Sequence, residues 1–296
     1  MGNIKTGGQW NDEEKQAHIN EKELLAVLFS LKSLCKECTY TTIKVMSDNS
    51  TTVHYINNMG GRKTRCNQIA RCIWEWAIQR DIWLIATFIP GKLNTQADKE
   101  SRTLHSNTEW HLDPALFKII ETKLGPIDFD IFASRLTCQV PRYASWKPDP
   151  GAEICDGMSF DWRTINGCAF PPFSLIGQVL QKIEHDACTV VIVVPEFRSQ
   201  PWFPKLLHML IDFPLFISRT SKVLSNPVNQ HETPIRANLI ICKVSGLKHC
   251  IQEFQAKLQK SSLQVGDPEP RDNIPVTSNN LKNFVLRDKL IQCQRL

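Results

Sequence analysis

The sequence lacks the long apolar segments that are typical of membrane proteins and secretory signals. None of its 296 residues belongs to an uninterrupted apolar run of about 18 residues, the shortest that crosses a bilayer as a helix. The opening string, MGNIKTGGQW, contains no apolar signal-peptide core. We therefore expect an intracellular protein, cytoplasmic or nuclear, that has no membrane partner and is not secreted.

Complete metal-binding and disulfide patterns are lacking too. The 11 cysteines are scattered through predicted helices and strands, and without a secretory signal they are expected to stay reduced. Cys35 and Cys38 form a CxxC pair, but neither a second CxxC nor a pair of histidines completes a zinc site. The pattern favours partly buried thiols on helices.

The composition by itself identifies no function. Its 42% hydrophobic and 22% charged residues are typical of a globular protein, and 296 residues suffice for two cores. A net charge of +5 is compatible with a nucleic-acid partner without requiring one. Near the carboxyl end the sequence contains no recognisable Arg…Arg…Tyr arrangement, so it does not indicate a strand-exchange activity.

Periodicity in the first part of the chain predicts alternating helices and strands. Apolar residues at helical spacing predict a helix over 20–34, and a β-branched run predicts a strand over 41–46. The same reasoning predicts helices over 51–59 and 64–80, a strand over 82–88, and a polar helix beginning near Asn94 or Thr95. Three tryptophans inside these elements are predicted to be core residues: Trp74, Trp76 and Trp83.

Three acidic residues stand where a metal-dependent nuclease needs them. Glu23 opens the first long helix, Asp48 follows a strand, and Asp98 lies in the first turn of the polar helix. Hydrolysis of a phosphodiester by two Mg²⁺ ions, about 4 Å apart, requires several carboxylates that converge at the ends of secondary elements. Each residue alone is also explained by helix-dipole, turn or surface roles.

The settings of these carboxylates resemble a known family. The strings HINEKELLAVLFSL (18–31), SDNSTTVHYINNMGG (47–61) and IPGKLNTQADKESR (89–102) are similar to the RNase H domain of retroelement polyproteins, and most similar to that of DIRS-type, tyrosine-recombinase retrotransposons. The resemblance implies an α/β domain over 1–112 with an RNase H-like mixed sheet. It also implies Mg²⁺ bound by catalytic Glu23, Asp48 and Asp98, and a reverse transcriptase domain in the same polyprotein.

One element of that family has no counterpart in this sequence. The family carries an earlier aspartate on its first strand, whereas no aspartate precedes Asp12 here. The resemblance therefore implies a domain truncated at its amino end, which ancestrally cleaved the RNA of RNA/DNA hybrids and has weak or no activity now. The alternative is a nucleic-acid-binding protein without catalysis.

A basic segment follows the Gly60-Gly61 pair. Arg62, Lys63, Arg65 and Arg71 are candidates for contacts to the phosphates of a hybrid. Asn49 and Asn57 are candidates for hydrogen bonds to 2′-hydroxyls in the minor groove. A solvated basic surface explains the cluster equally well.

The rest of the chain predicts a second α/β domain over 113–250. Asp113-Pro114 predicts a helix start, and strands are expected near 129–133, 190–194, 215–217 and 237–244. A helix is expected around 175–183. The all-apolar run at 190–194 indicates a strand buried on both faces of a largely parallel sheet. Residues 251–296 are predicted to be a polar linker and a short tail.

Residues 126–218 resemble phage-type DNA N6-adenine methyltransferases, which implies a Rossmann-like domain. That family presents its target amine with an Asp/Asn-Pro-Pro-aromatic loop, and here the loop is Phe170-Pro171-Pro172-Phe173. Because phenylalanine accepts no hydrogen bond from an amine, the resemblance implies a degenerate site. Asp128, Asp130 and Asp156 are candidate contacts to S-adenosylmethionine, with capping or turn roles equally open. A working S-adenosylmethionine-dependent adenine methyltransferase is the third functional alternative.

Overall fold

The computed structural model describes residues 4–102, 110–218, 224–225, 237–260, 282–286 and 289–296. Helices and strands alternate along the chain, which confirms the predicted mixed α/β class. The chain divides into two units. Unit 1 comprises Met1–Asn107, Ser134–Leu136 and Ser145–Cys155, and unit 2 comprises Thr108–Ala133, Thr137–Ala144 and Asp156–Leu296.

Unit 1 contains a helical layer on a two-stranded parallel sheet. Every element predicted in this region is present, with bounds within two residues of those expected. The elements are α1 (Asp12–Gln16), α2 (Ile19–Leu34), β1 (Thr41–Ser47), α3 (Ser50–Asn57), α4 (Thr64–Ile78), β2 (Ile82–Phe88), a 3₁₀ turn (Gly91–Leu93) and α5 (Thr95–Arg102).

The core of unit 1 lies between the sheet and the helices. Strands β1 and β2 pair in parallel from Thr41 opposite Ile82 to Ser47 opposite Phe88. Leu24 of α2 and Ile56 of α3 are fully buried, and the Trp74 indole of α4 donates a hydrogen bond to the Ile56 carbonyl at 3.0 Å. Just after β1, the Asn49 amide donates to the Asn20 side chain on the first turn of α2, so the carboxyl end of β1 lies beside the beginning of α2.

The tryptophan prediction is confirmed for two of its three residues. Trp74 and Trp76 are buried, whereas 55% of the Trp83 surface is exposed. Trp83 alternates with the buried residues Ile82 and Leu84 on β2, and its ring still meets the Trp74 ring edge-on, with their centres 5.2 Å apart. Apolar composition could not reveal that only one face of β2 is covered.

Unit 1 is discontinuous in sequence, unlike the predicted domain over 1–112. Arg135 forms a two-pronged ion pair with Glu14, with contacts of 2.6 and 2.9 Å, and its guanidinium carbon lies 4.5 Å from the centre of the Phe29 ring. Lys36 donates to the carbonyls of Ala152 and Glu153. Turn-rich loops have no periodicity from which their contacts can be predicted. The sequence-based prediction therefore placed Ser134–Leu136 and Ser145–Cys155 in the second domain.

Unit 2 contains the larger sheet. Its helices are α6 (Pro114–Leu124), α7 (Ile176–Asp186), α8 (Trp202–His208) and α9 (Lys248–Lys257). The predicted start of α6 is confirmed, since Asp113 accepts hydrogen bonds from two backbone N–H groups of its first turn. The remaining strands of the whole chain, of which β6 belongs to unit 1, are in chain order β3 (His111–Leu112), β4 (Phe129–Asp130), β5 (Ala144–Ser145), β6 (Ile154–Cys155), β7 (Gly167–Ala169), β8 (Thr189–Pro195), β9 (Leu215–Ile217), β10 (Leu224–Ser225), β11 (Leu239–Ser245), β12 (Gln259–Lys260), β13 (Lys282–Leu286) and β14 (Lys289–Arg295).

The main sheet of unit 2 is mixed rather than largely parallel. Its strand order is β12-β14-β9-β11-β8-β7-β4, with β13 paired to β14. The strands β4, β7 and β8 are mutually parallel, but β11 runs antiparallel to both β8 and β9. The prediction that β8 is covered on both faces is confirmed, because all five residues from Val190 to Val194 are buried.

The predicted linker and tail over 251–296 do not describe the end of the chain. Helix α9 extends to Lys257, and β14 pairs with β9 inside the main sheet. Phe284, Ile291 and Cys293 are buried. The carboxyl-terminal strands are therefore part of the core of unit 2.

Within the described ranges, none of the helices combines the length and the apolar character needed to cross a lipid bilayer.

Candidate functional site

Two of the three predicted carboxylates lie together in unit 1. Glu23 is half-buried on the second turn of α2, and Asp48 is exposed directly after β1. Burial raises the pKa of Glu23, and the negative charge of Asp48 raises it further. The two groups are therefore close enough to repel each other when both are ionised.

The turn that follows β2 closes around Asp48. The Asn94 side chain donates to Asp48 Oδ1 at 3.3 Å. A β-carbon added at Gly91 would stand 3.2 Å from Asp48 Oδ2, so the backbone of this turn passes beside the carboxylate. Sequence analysis treated Asn94 as a helix cap and missed its contact with Asp48. No pattern in the sequence reports that contact.

Asp98 does not complete a group of three carboxylates. Its backbone N–H donates to the Asn94 carbonyl, so it lies one turn further along α5, and its side chain is exposed. Among the residues that the structure describes, no cluster of three or more Asp, Glu, His or Cys is arranged to hold a metal ion. The structure thus describes a carboxylate pair, Glu23 and Asp48.

The two candidate asparagines are engaged in local structure. Asn49 caps α3 by accepting from Thr52 N at 3.0 Å, and its amide donates to the Asn20 side chain at 2.9 Å. Asn57 bonds both polar backbone groups of Ala86, with contacts of 2.8 and 2.9 Å. Asn57 therefore satisfies the side of β2 that faces away from β1.

The basic segment forms a fixed loop at the beginning of α4. The Gly61 N–H donates to Asn67, and the Lys63 N–H donates to the Tyr55 hydroxyl at 2.8 Å. Gly60 has a φ of 146°, and a β-carbon on Gly61 would stand 2.5 Å from the Tyr55 ring. A side chain at Gly61 would displace Tyr55, and a side chain at Gly60 would meet Asn67 in a backbone conformation that favours glycine.

Two of the four basic residues, Arg65 and Arg71, have acidic side chains nearby. Arg71 pairs with Glu75 at 2.7 Å, and Arg65 lies 3.8 Å from Glu21 on the first turn of α2. Arg62 and Lys63 are exposed. Within the described ranges no side chain caps the amino end of α4, where the first N–H groups and the helix dipole favour an anion.

The loop Phe170-Pro171-Pro172-Phe173 of unit 2 lies after the parallel strand β7. Phe170 packs against the core formed by α6 and the sheet. The Phe173 ring meets the Phe197 ring edge-on, with their centres 5.9 Å apart. The first position of the loop therefore serves the core, which fits the absence of a polar acceptor there.

The three aspartates proposed as cofactor contacts have local partners. Asp128 accepts from the backbone and side chain of Asn166, and Asp156 accepts from Met158 N in a turn. Asp130 is 6% exposed and accepts from the backbone of Gln139 at 3.2 Å. Burial raises the pKa of Asp130 to about 6. These bonds match the capping and turn alternatives, and sequence analysis did not anticipate the burial of Asp130.

Comparison with known proteins does not extend this description. No protein-family model matches the chain, and no curated protein is significantly similar to it.

Proposed function

We propose that unit 1 is an RNase H-like module that binds an RNA/DNA hybrid and holds one divalent cation beside the bound phosphates. The observation that carries the proposal is the Glu23–Asp48 pair, placed at the end of a parallel strand where sites of α/β proteins commonly lie. The basic loop supplies positive charge, and it approaches α2 through the Arg65–Glu21 contact. Mg²⁺ is the expected ion, in an intracellular protein of retroelement descent.

The residues present fit one Mg²⁺ rather than two. Mg²⁺ keeps several waters and is commonly bound by one or two carboxylates, so Glu23 and Asp48 are a sufficient protein contribution. A cation between them would also relieve the repulsion that raises the pKa of Glu23. When bound, the ion would offset negative charge on a phosphate. Asn94 would keep Asp48 oriented.

The proposal is thus binding without hydrolysis; hydrolysis of the RNA strand is the second candidate, and the position of Asp98 counts against it. A two-metal reaction needs ligands for a second ion, and Asp98 is not grouped with the pair. We therefore expect hybrid binding to exceed hydrolysis by far. Incubation of the protein with a labelled hybrid and Mg²⁺ separates the two candidates, because product that Asp48→Asn abolishes supports the hydrolase.

The cation site is tested by the response of Asn94 to Mn²⁺. We expect Mn²⁺ to broaden the NMR signal of the Asn94 side-chain amide, because that amide contacts Asp48. Asp48→Asn is expected to weaken cation binding at least about tenfold, since it removes one of two charged ligands. The matched control is Asp98→Asn, which removes an exposed carboxylate outside the pair. Equal weakening by both substitutions would contradict the single-ion site.

The basic loop is tested by the salt dependence of hybrid binding. Removing the cation that neutralises one phosphate reduces the slope of log K against log salt concentration by roughly 0.7–0.9. We expect Arg62→Ala with Lys63→Ala to reduce that slope by about 1.4–1.8. The matched control is Arg71→Ala, because Arg71 already pairs with Glu75 and should change the slope little. An unchanged slope in the double variant would remove the loop from the interface.

A further inference from the structure

A pair of thiols closes the carboxyl end of α2. Cys35 is the residue that ends the helix, and the Cys38 N–H donates to the Cys35 carbonyl at 3.0 Å. A turn with this bond brings its first and last α-carbons within about 7 Å, which overlaps the range of about 4.4–6.8 Å that disulfides span.

The two thiols differ in their access to solvent. Cys35 is 8% exposed and belongs to the core of unit 1. Cys38 is half-buried and lines a cavity of about 340 Å³ together with Lys36, Glu37 and Cys155. A small reagent therefore reaches Cys38 before it reaches Cys35.

We propose that Cys35 and Cys38 form a reversible disulfide, and that Cys38 is the thiol that reacts first with a low-molecular-weight disulfide such as oxidised glutathione. The Cys38 thiolate attacks one sulfur of the reagent, whose S–S bond breaks and releases one equivalent of reduced thiol. The Cys35 thiolate then attacks the Cys38 sulfur, which forms the Cys35–Cys38 bond and releases the second equivalent. The protein dithiol is oxidised, the reagent is reduced, and both thiol protons pass to the released thiols through water.

The surroundings of Cys35 make the second step the slower one. Burial, followed by the neighbouring Cys38 sulfur, raises the pKa of Cys35 to about 11. The reactive thiolate of such a group is scarce at neutral pH, and its share grows about tenfold with each pH unit between 7 and 9. We therefore expect the mixed disulfide on Cys38 to accumulate first. Its conversion to the Cys35–Cys38 disulfide should become about tenfold faster with each pH unit.

The test uses the reduced full-length protein with oxidised glutathione at pH 7, 8 and 9. Samples are quenched with acid at intervals, alkylated and mapped by mass spectrometry. The expected sequence is glutathione on Cys38, then a Cys35–Cys38 disulfide, then recovery of both thiols with a reductant. A disulfide between Cys38 and Cys155, or glutathione that stays on Cys38 at pH 9, would overturn the proposal.

Variants assign the two steps to individual residues. Cys35→Ala should hold glutathione on Cys38, and Cys38→Ala should leave Cys35 free for alkylation. The matched control is Cys72→Ala, which removes an exposed thiol of α4 and should leave the Cys35–Cys38 product unchanged. If circular dichroism shows that Cys35→Ala is unfolded, early samples of the wild type decide the order, and a disulfide without prior glutathione on Cys38 contradicts it.

Discussion

Replacing Arg135 by alanine is expected to lower the free energy of unfolding of unit 1 by about 2–4 kcal/mol, because it breaks a largely buried ion pair and leaves the Glu14 carboxylate without its positive charge. The side chains of Arg135 and Glu14 are only 18% and 14% exposed. The same guanidinium also covers the Phe29 ring and donates to the Gln9 carbonyl. Urea denaturation followed by circular dichroism measures the change.

The matched control for Arg135 is Arg163→Ala. Arg163 pairs with Asp161, but these side chains are 67% and 45% exposed, and exposed pairs contribute about 0–1 kcal/mol. A double-mutant cycle of Arg135→Ala with Glu14→Ala isolates the energy of the pair itself. Equal destabilisation by Arg135→Ala and Arg163→Ala would show that Arg135 does not hold unit 1 together.

Asp130→Asn is expected to remove a pH dependence of stability in unit 2. The pKa of Asp130 is raised by burial to about 6 in the folded protein, against 3.8 for the unfolded group. The folded state thus binds the proton more tightly, so the stability linked to this proton is complete below pH 3.8 and is lost as the pH rises through about 6. We expect a loss of about 2–3 kcal/mol between pH 4 and pH 8 in the wild type.

The free energy of unfolding is measured by urea denaturation at several pH values, and the value for the wild type is subtracted from that for the variant. This difference should move in favour of Asp130→Asn by about 2–3 kcal/mol between pH 4 and pH 8, since asparagine carries no proton to lose. The matched control is Asp128→Asn, an exposed carboxylate two residues earlier on the chain. A constant difference across this range would show that Asp130 titrates like an exposed group.

Regular elements were predictable from the sequence because burial imposes a period. The apolar stripe of α2 and the apolar run of β2 predicted both their type and their bounds. The strand β14 carries the same signal, since Ile291 and Cys293 are buried between exposed glutamines. It was missed because the polar residues before it dominate the composition.

The candidate site was only partly predictable, for a geometric reason. The approach of Glu23 to Asp48 follows from a strand end that meets the beginning of a helix, and the sequence shows both. Whether Asp98 joins them depends on the path of the turn at Gly91–Leu93, which no periodicity encodes. The Asn57 side chain has the polar groups that a nucleic-acid contact needs. Its hydrogen bonds to the Ala86 backbone depend on the packing between α3 and β2, which the sequence does not show.

The split course of unit 1 has a consequence for synthesis on the ribosome. About fifty residues separate Arg102, at the end of α5, from Cys155, at the end of the last segment of unit 1. Translation at roughly 5–20 residues per second leaves the nascent amino-terminal part without Arg135 for roughly 2–7 s, and without the segment that ends at Cys155 for roughly 3–10 s. During that interval Glu14 and Phe29 are open to chaperones, and a stop codon placed after α5 would make the interval permanent.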